Sequence, residues 1–477
     1  MTTGIVRIGA YIPYYSITRE VIAAAWDARP SPGERSLCNA DEDSVTMAGE
    51  AAVNLLRGVE RDTVDGLYFA STTAPYVEKS HATLLAKVCD LADTVDVSDF
   101  ANCTRAATQA VRAAFNAVEA SSARSVLVTA ADARNGYPKS AQEQMFGDAG
   151  AAVLIGDTDV VAEIVASVSV NNEITDLWRN REDDFVRSGE GRFIKGHGYT
   201  SSLIGAVKAL VAKAGISLDD VTTFVLPTPG LKDHLGVAKA LKVPAEKVQD
   251  PLMTLVGDCG TAQPLLLLAA ALGTASAGDL IVWTSYGNGA DALLLRVTDR
   301  IADLANRDQI GHLLASRRQL AGYPRFLSFR GLLEAQPGEP YKITPSTTVY
   351  WRDRNSILAL HGGTCRKCGL TTFPINRICF DCHSKDEYDE VRLYDQPFSL
   401  FTYSVDQLAG RSDDPMIGQA VAEAPDGTRI YLLITDFRSE DIAIGMPLEA
   451  TFRKMHELGD FKNYYWKLRP VRTGRGA

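Results

Sequence analysis

The stretch GDLIVWTSYGNGADALLLRV, residues 278–297, decides the fold class of this chain. It begins with an apolar run rich in β-branched residues, continues through a turn with two glycines, and ends with a second apolar run. Short apolar runs bounded by glycine are typical of buried strands. The stretch therefore predicts two strands joined by a tight turn.

Residues 1–300 alternate strand-like and helix-like segments around this pattern. ARSVLVTAADA (123–133), GAAVLIGD (150–157) and TTFVLPTPG (222–230) predict strands, and ATLLAKVCDLA (82–92) has a helical pattern. Such alternation indicates a layered α/β domain. The pair SVLVTAADA and GDAGAAVLIG is echoed by LIVWTSYGNGADALLL, which indicates two related α/β halves.

Composition narrows the class of protein. The chain has 477 residues, of which 46% are apolar and 23% charged, as in ordinary globular proteins. Its net charge of -10 argues against nucleic-acid binding, because neutralising phosphates needs a basic surface. The aromatic and basic segment YYWKLRP (464–470) leaves single-strand binding as a weak alternative.

Nothing in the sequence predicts a membrane segment or an export signal. The N-terminal residues MTTGIVRIGAYIPYYS do not form a signal peptide or a presequence, and no run approaches the ~18 apolar residues that span a bilayer. Cys38, Cys89, Cys103 and Cys259 are scattered along the chain, which suits a reducing compartment. We expect a cytoplasmic protein without membrane contact.

The C-terminal part of the chain has a different character. Residues 301–345 are charged and mostly helical in pattern, which predicts a connector. Short alternating segments follow, such as FSLFTYSVD and RIYLLITDF, and they indicate a small β-barrel. The predicted domains are two α/β halves, the helical connector, a zinc ribbon and the barrel, at residues 1–160, 161–300, 301–345, 346–390 and 391–477.

A cysteine cluster predicts a structural zinc site. Cys365 and Cys368 form one CxxC pair, and Cys379 and Cys382 form a second after ten intervening residues. Each pair brings two thiolates to one ion from a tight turn, and four thiolates leave no open position for catalysis. The neighbouring His383 is a less symmetric substitute ligand, and four buried or redox-active cysteines are the other interpretation.

Five segments resemble 3-hydroxy-3-methylglutaryl-CoA synthases and follow the order of that family. They are DEDSVTMAGEAA (41–52), GDAGAAVLIG (147–156), EGRFIKGHGY (190–199), TTFVLPTPGLKDHLGVAKAL (222–241) and LIVWTSYGNGADA (280–292). The resemblance covers about residues 1–300. It implies the thiolase fold, with α/β/α/β/α layers built from two βαβαβ halves, and a homodimer.

Residues 346–477 resemble a second family, the acyl-CoA-associated OB-fold with a rubredoxin-like zinc ribbon. This family is a habitual companion of thiolase-like enzymes, and here both occur in one chain. The two resemblances imply an acyl-CoA substrate with coenzyme A as its carrier, and a possible thiolase-like partner protein.

The resemblance also implies a catalytic cysteine, a histidine and a glutamate. In SDFANCTRAATQAV (98–111), Cys103 stands between an apparent strand and an alanine-rich helix, whose N-terminus would lower the thiol pKa. Aligning RAAT with the residues after the family cysteine puts Thr104 there instead, so both positions stay open. Pro227 matches the family histidine and Thr72 matches the glutamate, so two catalytic groups are missing.

Two other residues are candidate bases. Asp258, in VGDCGTAQP (256–264), matches an asparagine loop of related ketoacyl synthases, and desolvation could raise its pKa towards neutrality. An aspartate that caps the following helix is the alternative. His234 is the nearest histidine to the altered Pro227 position, although a lone histidine is more often structural.

The turn SYGNG (285–289) supplies the predicted substrate-binding groups. Its glycines let backbone N–H groups approach a thioester oxygen, and Tyr286 and Asn288 are candidate hydrogen-bond donors there. Thr104 is the third predicted substrate-binding residue.

Three functions compete. The first is an acyltransferase that makes a carbon–carbon bond on a CoA thioester through an acylated Cys103. The second is a non-covalent aldolase or retro-aldolase, in which Asp258, His234 or Tyr286 deprotonates a β-hydroxyacyl-CoA. The third is a non-catalytic acyl-CoA-binding scaffold for a partner thiolase, which the missing histidine and glutamate would explain.

Overall fold

The computed structural model describes residues 2–333, 346–407, 416–458 and 461–472, and the chain divides into two compact units. The first unit comprises Met1–Asn39, Asp43–Ala86 and Leu91–Phe326. The second unit comprises Ala40–Glu42, Lys87–Asp90 and Leu327–Ala477.

The first unit interleaves strands with helices. Its strands are β1 (Gly4–Tyr11), β2 (Tyr15–Thr18), β3 (Glu34–Leu37), β4 (Gly66–Ala70), β5 (Asp96–Phe100), β6 (Ser125–Asp132), β7 (Ala149–Gly156), β8 (Ala162–Asn171), β9 (Leu177–Trp178), β10 (Arg187–Ser188), β11 (Thr223–Val225), β12 (Leu280–Tyr286), β13 (Gly289–Val297) and β14 (Arg318–Gln319). Its helices are α1 (Arg19–Ala24), α2 (Ser44–Leu56), α3 (His81–Val88), α4 (Ala106–Glu119), α5 (Ala141–Met145), α6 (Gly191–Phe193), α7 (Ser201–Ala214), α8 (Asp233–Leu241), α9 (Gln263–Thr274), α10 (Gln309–Ala315) and α11 (Tyr323–Phe329). A π-helical turn, Ile194–Thr200, joins α6 to α7.

Nine strands form one mixed sheet in the order β11-β12-β13-β8-β1-β7-β6-β4-β5. The sheet consists of two corresponding halves that meet where β1 pairs with β8. From this junction outward, one half has the order β1, β7, β6, β4 and β5. The other half has the order β8, β13, β12 and β11, and a bridge between Phe224 and Val248 takes the place of a fifth strand. In both halves the last two strands pair antiparallel, β6 with β7 and β12 with β13. The prediction of two related α/β halves is confirmed.

Helices cover both halves of the sheet and also separate them. The helix α2 packs on β1, β6 and β7, and α7 packs on β8, β12 and β13. Between the two halves lie α4, on the strands of the first half, and α9, which contacts strands of both halves. The predicted α/β/α/β/α layering is therefore correct.

The central layer explains the composition of its helices. In α9 the run Leu265–Leu268 is fully buried, and in α4 the small residues Ala106, Ala107 and Ala110 face the same core. A helix that is apolar all round has to be buried on all sides. Alanines let α4 lie close to the sheet, which brings the residues at its start near the end of β12.

The second unit contains a ribbon and a barrel. Its elements are α12 (Thr347–Arg352), α13 (Arg354–Leu358), β15 (His361–Cys365), β16 (Thr371–Thr372), β17 (Tyr388–Arg392), β18 (Phe398–Asp406), β19 (Ile417–Glu423), β20 (Arg429–Ile434), β21 (Pro447–Leu458) and β22 (Phe461–Pro470). The strands β16, β15 and β17 form a small sheet, and β18-β19-β20-β22-β21 close into a barrel in which β20 and β22 are parallel. This is the strand order of an OB-fold, so the predicted barrel is confirmed.

The segment YYWKLRP forms part of the barrel core. Tyr464 and Trp466 are buried, and the Trp466 indole stacks on Tyr394 with ring centroids 4.6 Å apart. Arg469 is buried as well and pairs with Glu449 at 2.9 Å. Because Tyr464, Trp466 and Arg469 are buried in the barrel, they do not form the exposed surface that motivated the nucleic-acid alternative.

The predicted domain boundaries stay predictions. Residues as far as Phe326 belong to the first unit, in which β14 pairs with β2, although the sequence predicts a connector over 301–345. Residues 334–345 of that connector lie outside the described residues. Within the described part of the chain, no helix has the length and apolar character that crossing a membrane requires.

At the junction of the two halves, close packing of β1 against β8 should make one glycine intolerant of substitution. Gly4 on β1 pairs with Glu163 on β8, and a Cβ at Gly4 would overlap the carbonyl oxygen of Ala162. We expect Gly4→Ala to lower the free energy of unfolding of the first unit by about 1–3 kcal/mol, because backbone atoms must move apart. Thermal or urea unfolding measures this change.

Gly205 in α7 provides the matched control, because a Cβ there meets no atom within 4 Å. Gly205→Ala should be neutral, or stabilising by up to about 1 kcal/mol, since alanine favours helix. Equal unfolding midpoints for the two variants would show that the junction tolerates a methyl group.

Candidate active site

The predicted nucleophile segment connects β5 to α4. The strand β5 ends at Phe100, Asn102 takes a left-handed conformation with φ of +77°, and α4 begins at Ala106. Cys103 is half-buried, and its carbonyl oxygen accepts a hydrogen bond from the Ala106 N–H at 3.1 Å. The sulfur therefore lies at the N-terminal end of a central helix, as the sequence predicts.

The glycine turn after β12 lies directly against this segment. The Thr104 hydroxyl donates a hydrogen bond to the carbonyl oxygen of Tyr286 at 2.6 Å. A Cβ at Gly287 would come within 2.9 Å of the Arg105 nitrogen and of Thr104 Oγ1, so this close approach requires glycine. The structure thus brings Cys103 and Thr104 to the predicted substrate-binding turn, with the Thr104 hydroxyl engaged by the main chain.

A buried ion pair that the sequence analysis missed lies behind the nucleophile segment. The Arg105 guanidinium is 3.5 Å from the carboxylate of Asp291, which is fully buried on β13. Ser169 and Thr108 donate hydroxyl hydrogen bonds to Asp291 at 2.6 and 2.7 Å, and Arg112 lies 3.4 Å from it. A charged residue within a buried apolar strand, as in GADALLL, was the available signal for this pair.

Burial reverses the expected acidity of Cys103. Removal of the thiol from water raises its pKa above the ordinary value, while the Arg105 backbone N–H and guanidinium lower it and the Asp291 charge raises it. The expectation that a helix N-terminus would lower this pKa is therefore wrong in its net sign. Desolvation of the thiolate outweighs the lowering of the pKa by the Arg105 N–H and guanidinium.

The side chains of Tyr286 and Asn288 hold a neighbouring loop. The Tyr286 hydroxyl donates to Asp176 Oδ2 at 2.6 Å, and the Asn288 amide donates to the carbonyl oxygen of Ile174 at 2.7 Å. Burial, together with the hydrogen bond to Asp176, raises the pKa of Tyr286. Both donors that the sequence assigned to substrate are thus engaged within the protein.

Asp258 is paired with a buried cation and accepts a main-chain hydrogen bond. Its carboxylate lies 2.6 Å from the Arg134 guanidinium and accepts the Gly260 N–H at 3.0 Å, just before α9. The adjacent cation compensates the burial of this carboxylate. The N-cap residues of the following 3-10 turn and of α9 are Cys259 and Ala262, so the structure does not use Asp258 as the helix cap that the alternative expected. The role of Asp258 as a general base stays a prediction.

Asp132 organises the loop that contains the substituted glutamate position. Its carboxylate accepts the Ser71 hydroxyl at 3.0 Å and the N–H groups of Thr72, Thr73 and Thr261 at 2.6, 3.1 and 2.8 Å. Asp132 is fully buried at the carboxyl end of β6. The loop at Thr72 is therefore held rigidly, with a hydroxyl where the family resemblance places a carboxylate.

The substituted histidine position also offers no base. The carbonyl oxygen of Pro227 accepts the Tyr199 hydroxyl at 2.9 Å. His234, on α8, is 6% exposed, and burial lowers its pKa, which keeps the imidazole neutral near pH 7. None of the hydrogen bonds or ion pairs in the described part of the chain joins His234 to Cys103.

The four clustered cysteines of the second unit converge. Their sulfur atoms lie within 4.8 Å of one another, with Cys365 and Cys382 sulfurs 3.6 Å apart and Cys368 and Cys379 sulfurs 3.5 Å apart. A tetrahedral site with bonds of about 2.3 Å needs sulfurs about 3.8 Å apart. These residues could therefore hold one metal ion.

Two curated relatives match more than two thirds of this chain. A hydroxymethylglutaryl-CoA synthase of Thermococcus sibiricus is 31% identical over 336 residues, which are 69% of this chain and 96% of the relative. A hydroxymethylglutaryl-CoA synthase of Methanocaldococcus jannaschii is 32% identical over 339 residues, 69% of this chain and 98% of the relative. This chain belongs to the hydroxymethylglutaryl-CoA synthase family.

A solved structure of an HMG-CoA synthase complexed with CoA shares the fold. It has a TM-score of 0.63 and 20% sequence identity, and the match covers 72% of this chain and 95% of that chain. No family model matches the sequence. The resemblance inferred from the sequence is confirmed, and the hydroxymethylglutaryl-CoA synthase family places the chain among the carbon–carbon bond-forming acyltransferases of the thiolase superfamily.

Proposed function

We propose that this protein forms a carbon–carbon bond on a CoA thioester, with Cys103 as the residue that accepts the acyl group. The observation that carries the proposal is the position of Cys103 between β5 and α4, next to Thr104, which contacts the Tyr286–Gly289 turn. Thr104, the other candidate, already donates its hydroxyl to the main chain. The sulfur is therefore the reactive atom at this end of α4.

The proposed chemistry is acyl transfer to sulfur. A Cys103 thiolate attacks the thioester carbonyl, the new carbon–sulfur bond forms, and coenzyme A leaves as its thiolate. Backbone N–H groups at the start of α4 support the negative oxygen that develops during attack. The acylated enzyme then meets the enolate of a second acyl-CoA.

A non-covalent lyase is the second candidate, and a specific observation favours it. Pro227 and Thr72 stand where a base and an acid would serve the covalent route, and the pKa of Cys103 is raised. An aldolase or retro-aldolase needs only a base for a β-hydroxyl and donors for an enolate oxygen. The hydrogen-bonded pair of Tyr286 and Asp176 is a candidate proton-transfer group at this turn.

Cys103→Ala separates the two candidates. After incubation with acetyl-CoA and an acid quench, we expect an acetyl group on Cys103 of the native protein and none on the variant. Turnover of CoA thioesters should fall by about 100-fold or more, because the covalent step is lost. Mass spectrometry of the Cys103 peptide and release of free CoA are the measurements.

Thr104→Val is the matched variant and should keep the acetyl adduct. Undiminished cleavage of a β-hydroxyacyl-CoA by Cys103→Ala would favour the lyase. A native protein with neither adduct nor turnover would favour the acyl-CoA-binding scaffold for a thiolase-like partner.

We also propose that the four clustered cysteines bind a structural zinc ion. The described geometry fits four thiolates around one metal, and folding of such sites draws on a binding free energy of about 10–16 kcal/mol. We expect one zinc per chain, and we expect Cys379→Ser to lose the metal and to unfold the second unit at lower temperature. Elemental analysis and thermal unfolding measure both effects.

Cys259→Ser is the control for the zinc site, since Cys259 is buried in the first unit. It should keep the full metal content. A chain purified with no zinc, or a Cys379→Ser variant with one zinc per chain, would contradict the proposal.

A cytoplasmic homodimer is the proposed working form. The strand β5 ends the nine-stranded sheet, and among the described residues β4 alone pairs with it. Such an edge is a template for a second copy. Light scattering should give about twice the chain mass of 51.6 kDa, and a mass of one chain would contradict the dimer.

A further inference from the structure

Arg105 is a buried cation placed immediately behind the proposed nucleophile. It is 5% exposed, although it precedes a helix whose neighbouring residues are alanines in the apolar core. Burying a guanidinium is costly unless hydrogen bonds and a counterion compensate. A methyl or methylene group would serve packing better at this position, so the charge requires another explanation.

The hydrogen bonds of Arg105 leave one donor available. Nη1 donates to the Ser169 hydroxyl at 3.1 Å and to the Val170 carbonyl oxygen at 3.2 Å, and Nη2 donates to Asn171 Oδ1 at 3.2 Å. The Nε–H is buried and has no hydrogen-bond partner among the described residues. The terminal nitrogens thus fix the guanidinium to β8, while Nε is left for another acceptor.

The Cys103 sulfur, two residues earlier in the chain, is a candidate acceptor for this N–H. It lies near enough to the Arg105 N–H and guanidinium for both to act on its ionisation, and Asp291 is the other charged group that acts on it. Thr104 contributes no charge, and the groups that β8 presents to Arg105 are neutral. Arg112 affects Cys103 only indirectly, through its contact with Asp291.

We infer that Arg105 is a positioning residue that stabilises the Cys103 thiolate electrostatically, in place of the base that is missing at Pro227. A guanidinium stays protonated, so Arg105 does not take the thiol proton, which leaves to water before the acyl-CoA is attacked. The Nε–H then donates to the sulfur anion. Asp291 limits the positive charge and keeps the guanidinium in place.

This inference deepens the proposed function and rests on Cys103 being the reacting thiol. Thiolate formation can nevertheless be measured without any turnover. The rate of iodoacetamide alkylation of Cys103, followed by mass spectrometry from pH 6 to pH 10, reports the fraction of thiolate because the thiolate is the nucleophile.

Arg105→Gln removes the cation and should raise the apparent pKa of Cys103. A shift of about one unit makes alkylation at pH 7 about tenfold slower. Arg105→Lys keeps the charge but lacks the Nε–H. The apparent pKa of Cys103 in this variant should lie between the values for Arg105→Gln and for the native protein. Arg112→Gln, about two turns further along α4, is the matched control. Because Arg112 contacts Asp291 and not Cys103, its profile should change much less than that of Arg105→Gln.

Asp291→Asn removes a negative charge near Cys103, so it should shift the apparent pKa of the thiol in the direction opposite to Arg105→Gln. Loss of a negative charge favours the thiolate, so the apparent pKa should fall and alkylation at pH 7 should become faster. This variant keeps the inference testable if Arg105→Gln fails to fold, which circular dichroism and the thermal midpoint reveal.

The outcomes separate the inference from the proposed function. A folded Arg105→Gln variant with a native alkylation profile overturns the inference, as does an unchanged profile in Asp291→Asn. If the profiles shift as expected and the native protein never forms an acyl adduct, the role of Arg105 stands and the acyltransferase proposal falls. If the adduct forms and Arg105→Gln leaves the alkylation profile unchanged, the acyltransferase proposal stands and the role of Arg105 falls.

Discussion

The burial of the central helical layer is the constraint on which the rest of the structure depends. The helices α4 and α9 lie between the two halves of the nine-stranded sheet, so they have little contact with water. Alanines in α4 and leucines in α9 satisfy this requirement. The same arrangement places the start of α4, with Cys103, in a low-dielectric environment where any charge needs a partner.

The charged side chains at this edge of the layer are compensated in a way that follows from that constraint. Arg105 faces Asp291, Arg134 faces Asp258, and Asp132 gathers hydroxyl and backbone donors. Unpaired buried charges would cost several kcal/mol, so these contacts fix the loops around the nucleophile. The resulting site is preorganised, and the acidity of its thiol depends on the balance between desolvation and nearby charge.

The second unit is stabilised by different means. Its barrel buries Trp466 and Phe452. Its ribbon is a sheet of three short strands with little core of its own, beside which four sulfurs converge. The sequence identified both features from spacing and alternation. It also suggested a nucleic-acid surface at YYWKLRP, which the structure uses as core.

By itself, the sequence determined the α/β layering, the two related halves, the barrel and the cysteine cluster, because periodicity and ligand spacing are local properties of the chain. It also placed Cys103 between a strand and a helix. Only the tertiary structure decided that the Thr104 hydroxyl is engaged by Tyr286, that Asp258 is paired with Arg134, and that Arg105 and Asp291 meet. Those contacts join residues more than a hundred positions apart, and the desolvation that raises the pKa of Cys103 arises only when the central layer is assembled.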